Sequence, residues 1–177
     1  MDKEFYLKKQ IPVNDDSLNQ LDNSDIIKHT LFSLVSVACP KTSKDYAWSM
    51  VKRLLKELEE YYDFLKFIQI GNIENLENKI EDINIKNEFD SVGPKDVGTA
   101  IQSIIDIFKV RMGKKAGYFF ISEFKKTLGD EYHTEIKKMG VDLRLIELKK
   151  ELHGIIDSGK YKIKDEYNSN IAFIEKK

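Results

Sequence analysis

The sequence has few of the residues and segments that define several common protein classes. A single cysteine, Cys39, occurs among 177 residues, so an intramolecular disulfide framework and a multi-cysteine metal site are both excluded. No run approaches the roughly 18 apolar residues that a membrane helix requires. Residues 1–10 carry five charged side chains and no apolar core of signal-peptide length. These absences predict a cytoplasmic protein with no membrane partner.

A large charge of one sign is also lacking. The chain carries 29 Lys and Arg against 30 Asp and Glu, a formal net charge of −1. Proteins that act mainly on nucleic acid or an anionic membrane are expected to be strongly positive. The charge is nevertheless uneven, because residues 1–108 hold 13 basic and 19 acidic side chains, whereas residues 109–177 hold 16 and 11. The basic excess of the C-terminal part is therefore compatible with an anionic partner.

What the chain does contain is apolar residues at helical spacing. Across residues 43–70 they recur at steps of four and three, at Ala47, Val51, Leu54, Leu58, Tyr61, Leu65 and Ile68. This pattern predicts one long helix. Helical bundles and intermolecular coiled coils share such spacing, and we favour the bundle.

Capping and helix-stopping residues predict the other helices. One helix is expected from Asp25, capped by Ser24, to Pro40, and another from Pro94 to Gly113. Shorter helices are expected between residues 114 and 157, with Gly129, Gly140 and a cap at Asp142 as their limits.

The predicted fold class is mainly α. It is a multi-helix bundle with a long central or protruding helix and a small β-hairpin over residues 160–177, where apolar residues begin to alternate. The N-terminal segment, residues 4–13, is expected to be extended. The acidic residues 72–90 suggest a division into regions 1–90 and 91–177, with one compact domain as the alternative.

No motif predicts catalytic residues, metal ligands or a cofactor. The sequence has no G-x-S-x-G, G-x-G-x-x-G or H-E-x-x-H motif. Asp130, Glu131, His133 and Glu135 are close in sequence, but a helix would place them on different faces. An enzyme or ligand-binding domain with scattered site residues stays as a third alternative.

The leading hypothesis is a non-catalytic interaction or regulatory protein that binds a protein partner or a second copy of itself. Aromatic residues favour it, because Tyr and Trp are enriched at protein interfaces. The candidate interaction residues are Trp48, Tyr61, Tyr62, Phe64 and Phe67.

The alternative is nucleic-acid binding by the C-terminal part. A short helix at residues 130–139, a turn, a second helix from Leu143 and a hairpin follow one another, and this order resembles that of winged-helix domains. The resemblance implies that basic residues of the second helix enter the major groove and that those of the hairpin meet phosphates. The residues concerned are Arg144, Lys149, Lys150, Lys162 and Lys164.

Overall fold

Helices dominate the computed structural model, which describes residues 21–71, 79–117, 119–147, 161–163 and 174–176. The α-helices are α1 (Asn23–Ala38), α2 (Lys44–Leu58), α3 (Pro94–Met112), α4 (Phe120–Leu128) and α5 (Asp130–Lys138), and residues 143–147 are also helical. The strands are β1 (Ile68–Ile70), β2 (Ile83–Ile85), β3 (Tyr161–Ile163) and β4 (Ile174–Lys176).

The prediction of a mainly α fold with a minor β component is confirmed. Two sheets of two antiparallel strands are present among the described residues, β1 with β2 and β3 with β4. In the second, Lys162 is opposite Glu175, as expected for paired strands near the C-terminus. The predicted turn between them and the extended segment at residues 4–13 lie outside the described residues.

The prediction of one helix over residues 43–70 is wrong beyond Leu58. A 3₁₀ turn at Asp63–Phe67 follows α2, and the chain then enters β1. Leu65 and Ile68 are buried, so the apolar spacing continues although the helix does not. β1 is stabilised by pairing with β2, a distant segment that a local helical period cannot reveal.

α1 lies at the centre of the described helices. It packs against α2, α3, α4 and α5, and the residues of α1 that face them, such as Leu31 and Leu34, are fully buried. The hydrophobic core continues from Ile26 to Ile146 and includes residues from both sides of the predicted division near residue 90.

The N-terminus of α1 is capped by a residue distant in sequence. The prediction of Ser24 as the cap is wrong, since the helix already begins at Asn23. Asp90 supplies the acceptors instead: its carboxylate accepts the Ser24 backbone N–H at 2.7 Å and the Ser24 hydroxyl at 3.1 Å. A carboxylate is favoured there because it accepts an otherwise unpaired N–H and complements the helix dipole.

Proline and glycine mark the ends of the later helices as the sequence predicts. Pro94 occupies the first turn of α3, where its missing N–H costs no helical hydrogen bond. Gly113 follows the last residue of α3 with φ +54°, and Gly129 separates α4 from α5 with φ +83°. Glycine adopts these left-handed conformations without the steric cost of a β-carbon.

Candidate functional site

Trp48 belongs to the core and not to an interaction surface. Its side chain is fully buried in α2, which packs against α1 and α3. Its expected role as a surface contact is therefore wrong. Buried aromatic surface is strongly favoured, and the bundle provides enough neighbours on this side of α2 to enclose the indole.

The aromatic residues after α2 divide between packing and exposure. Tyr62, Phe64 and Phe67 are half-buried and pack against the core. The Tyr62 hydroxyl lies 2.9 Å from Ser103 Oγ of α3, and the Phe64 ring meets the Phe89 ring edge-on at 5.8 Å. Only Tyr61 of the five predicted interaction residues is mostly exposed, at 78%. The structure therefore brings no broad exposed aromatic face together here.

Arg144 is the one predicted nucleic-acid-binding residue whose side chain the structure describes. It lies in the second position of the helical residues 143–147, and its side chain is 79% exposed. Lys162 lies in β3, whereas Lys149, Lys150 and Lys164 fall outside the described residues.

Asp142 caps the helical segment that contains Arg144, as the sequence predicts. Its Oδ1 accepts the Arg144 backbone N–H at 2.9 Å and lies 3.6 Å from Arg144 Nε. The backbone hydrogen bond is the largest cause that holds the pKa of Asp142 below its usual range. The carboxylate is therefore ionised at neutral pH, and it orients Arg144 at the start of the segment.

A tight turn connects α5 to this segment. Gly140 has φ +96°, its N–H bonds to the Lys137 carbonyl, and the Val141 N–H bonds to the Ile136 carbonyl at 3.0 Å. This is the Schellman arrangement, in which a left-handed glycine satisfies the last carbonyls of a helix. Val141 and Ile136 are both buried, which supplies the apolar contact that accompanies the motif. We call α5, this turn and residues 143–147 the corner.

A cleft of about 370 Å³ opens on the corner and is bordered by α4. Its lining residues are Lys125, His133, Lys137, Gly140, Val141, Asp142, Leu143 and Arg144. Three cationic side chains, from Lys125, Lys137 and Arg144, and the Asp142 carboxylate line it, which gives these four groups a net charge of +2. Within the described part of the chain, neither Lys125 nor Lys137 forms an ion pair, whereas the nearby Lys138 is paired with Glu135.

Side chains of α3 form hydrogen bonds with main-chain atoms of the corner. Gln102 accepts the Asp142 N–H at 2.8 Å and donates its amide towards the Asp142 carbonyl at 3.5 Å. Lys109 Nζ donates to the Ile146 carbonyl at 2.9 Å. Gly98 lies directly against Met139, where a side chain would overlap the Met139 backbone. The shape of the cleft is thus set by a neighbouring helix as well as by the corner itself.

Sequence reasoning missed Lys125 and Lys137. They come from two helices joined at Gly129, and their nearness in space depends on how α4 and α5 pack. The one available signal was the basic excess after residue 108. The sequence pattern around His133 suggests only a metal ligand, and no group of three possible ligands gathers among the residues that the structure describes.

Comparisons with protein-family models, curated proteins and solved structures found no match to this chain. Among the described helices, none is both long enough and apolar enough to cross a membrane.

Proposed function

We propose that this is a cytoplasmic binding protein that holds an anionic partner in the cleft between α4 and the corner. The observation that carries the proposal is the pair Lys125 and Lys137, which face one cleft without a carboxylate partner among the described residues. Lysines that form no ion pair within the described residues remain available to an external anion.

Local charge supports binding even though the whole chain is close to neutral. Charge–charge interactions between exposed groups are largely screened beyond about 8 Å at physiological salt, so the groups around the cleft matter more than the total. Lys125 and His133 are half-buried, and Lys137 and Arg144 are exposed at the border. A bound anion would meet several donors while it gives up only part of its hydration.

The test is binding of fluorescein-labelled heparin to the full chain, followed by anisotropy at low salt. We expect saturable binding, weakened about tenfold in Lys125→Gln/Lys137→Gln because two charge contacts are lost. The matched control is Lys126→Gln/Lys138→Gln, which removes the same charge from the same helices outside the cleft lining. Absence of heparin binding, or equal weakening in the control, would contradict the proposal.

Self-association is a second candidate function, at a surface other than the predicted one. Val110 and Phe119 are 72% and 74% exposed and flank the 3₁₀ turn Gly113–Ala116 that links α3 to α4. Large apolar side chains that are exposed favour contact with another apolar surface, here a second copy of the chain.

Light scattering after size-exclusion chromatography tests self-association. We expect a dimer at high concentration that Phe119→Asp converts to a monomer, because a carboxylate in an apolar contact is costly. Tyr61→Asp, at an exposed aromatic residue elsewhere, serves as the control and should leave the dimer intact. A wild-type monomer at all concentrations would exclude this candidate.

A further inference from the structure

We infer that the anionic partner is duplex DNA, whose phosphate backbone enters the cleft while the corner lies against a groove. The inference rests on the proposed function and names its partner.

The corner has the element order of a helix–turn–helix: a helix, a short turn and a second helical segment. α5 ends at Lys138, four residues make the turn, and helical residues resume at position 143. DNA-binding helix–turn–helix units join their helices by a turn of about three or four residues that often contains glycine. Gly140 provides that glycine, and the Schellman hydrogen bonds fix the direction in which the second segment leaves.

Packing and hydrogen bonds join the corner to the rest of the bundle. Ile136, Val141, Leu143 and Ile146 are buried between its two arms and the rest of the bundle. His29 of α1 stacks on Tyr132 of α5, with ring centroids 3.8 Å apart. Together with the hydrogen bonds from α3, these contacts hold both arms before a ligand arrives, so little ordering would oppose binding.

The cleft lining suits phosphate better than a protein surface. Protein partners gain most of their affinity from apolar and aromatic anchors in pockets. The apolar lining residues, Val141 and Leu143, are only 4% and 3% exposed, so they offer almost no anchor surface. What an incoming partner meets is lysine, histidine, arginine and glycine backbone, together with the Asp142 carboxylate, whose Oδ1 already accepts the Arg144 N–H. The cationic and N–H donors outnumber this carboxylate, and phosphate contacts are made by such donors.

Arg144 occupies a position suited to DNA contact. In helix–turn–helix proteins, the first residues of the second helix reach base edges in the major groove. Arg144 is the second residue of that segment and is largely exposed, and Asp142 restrains its direction. Lys125 and Lys137 would then contact the flanking phosphate backbone of the DNA. In this arrangement Arg144 contacts base edges in the groove, and the two lysines position the protein on the duplex.

The experiment measures binding of a fluorescein-labelled random-sequence DNA duplex to the full chain, by anisotropy across a salt series. We expect the logarithm of the association constant to fall linearly with the logarithm of salt concentration. Lys125→Gln/Lys137→Gln, which removes two phosphate contacts, should reduce that slope by about 2, whereas Arg144→Gln, at a base-edge contact, should weaken binding and leave the slope nearly unchanged. The control Lys126→Gln/Lys138→Gln should keep the wild-type slope, and circular dichroism should show wild-type helix content in every variant.

The outcomes separate this inference from the proposed function. Heparin binding without DNA binding would overturn the inference and leave the proposed function intact. Binding of labelled polyglutamate in preference to DNA would do the same and would identify an acidic protein as the partner. DNA binding with an unchanged slope in Lys125→Gln/Lys137→Gln would also overturn it, whereas failure to bind any polyanion would overturn both proposals.

Discussion

At the scale of single residues, Gly98 is a position where the structure leaves no room for a side chain. A β-carbon there would overlap the Met139 carbonyl oxygen and lie 2.8 Å from the Met139 carbonyl carbon. Because the obstacle is backbone, neither a rotamer change nor a flexible side chain can relieve it. The close approach of α3 to the corner depends on this glycine.

We therefore expect Gly98→Ala to lower the free energy of unfolding by about 1–3 kcal/mol, the usual cost of overpacking. The gain in helix propensity, about 1 kcal/mol, would offset only part of a larger steric cost. Urea denaturation measures the change. Thr99→Ala, at the exposed neighbouring position of α3, is the control, and a Gly98→Ala variant as stable as wild type would refute the steric argument.

Cys39 offers a residue-scale prediction on pH. Burial raises the pKa of its half-buried thiol, and Lys44 lowers it by a smaller amount. Because the thiolate is the reactive form, the pH–rate profile of alkylation by iodoacetamide should have a higher midpoint in the folded chain than in urea. A midpoint equal to or below that of the unfolded chain would contradict this expectation.

At the scale of elements, the cap of α1 depends on the 3₁₀ turn Asn87–Ser91. Asp90 contributes both acceptors, and Asn23 Nδ2 donates to the Val92 carbonyl at 2.8 Å on the same side. The first turn of the central helix is therefore joined to a segment that precedes α3.

Asp90→Ala should destabilise the protein by about 0.5–2 kcal/mol, as loss of a side-chain cap does elsewhere. Asp90→Asn should cost less, since its amide oxygen can still accept the Ser24 N–H. Glu88→Ala in the same turn is exposed and serves as the control. The idea fails if the urea midpoint of Asp90→Ala equals that of Glu88→Ala.

At the scale of the whole molecule, the shared core predicts cooperative unfolding. Trp48 lies in α2 and Ile136 in α5, on opposite sides of the suggested division, yet both belong to one buried cluster. Ile136→Ala should therefore lower the unfolding midpoint reported by Trp48 fluorescence as much as the midpoint reported by circular dichroism. Two separate transitions would show that regions 1–90 and 91–177 unfold independently.

Local sequence signals predicted the features that depend on local chemistry. Pro94, Gly113 and Gly129 act through their own backbone conformations, so their effects could be deduced without knowledge of the fold. The pairing of β1 with β2 and the cap from Asp90 join residues far apart in the sequence, and a periodic pattern contains no information about such partners.

The site was predicted in part, for the same reason. Asp142 as a helix cap and Arg144 as an exposed basic residue follow from the residues next to them. The convergence of Lys125 with Lys137 follows only from the packing of α4 on α5, and the burial of Trp48 only from the neighbours of α2.

The Gln102 side chain binds the corner through main-chain atoms. Both of its hydrogen bonds go to the amide and carbonyl of residue 142, so they would form with any residue there except proline. These hydrogen bonds therefore do not depend on the side chains that line the cleft. Substitutions at positions 137 and 144 can change which ligand the cleft binds without disturbing them. Such a corner can acquire a new ligand preference through surface mutations, with no redesign of the helices that support it.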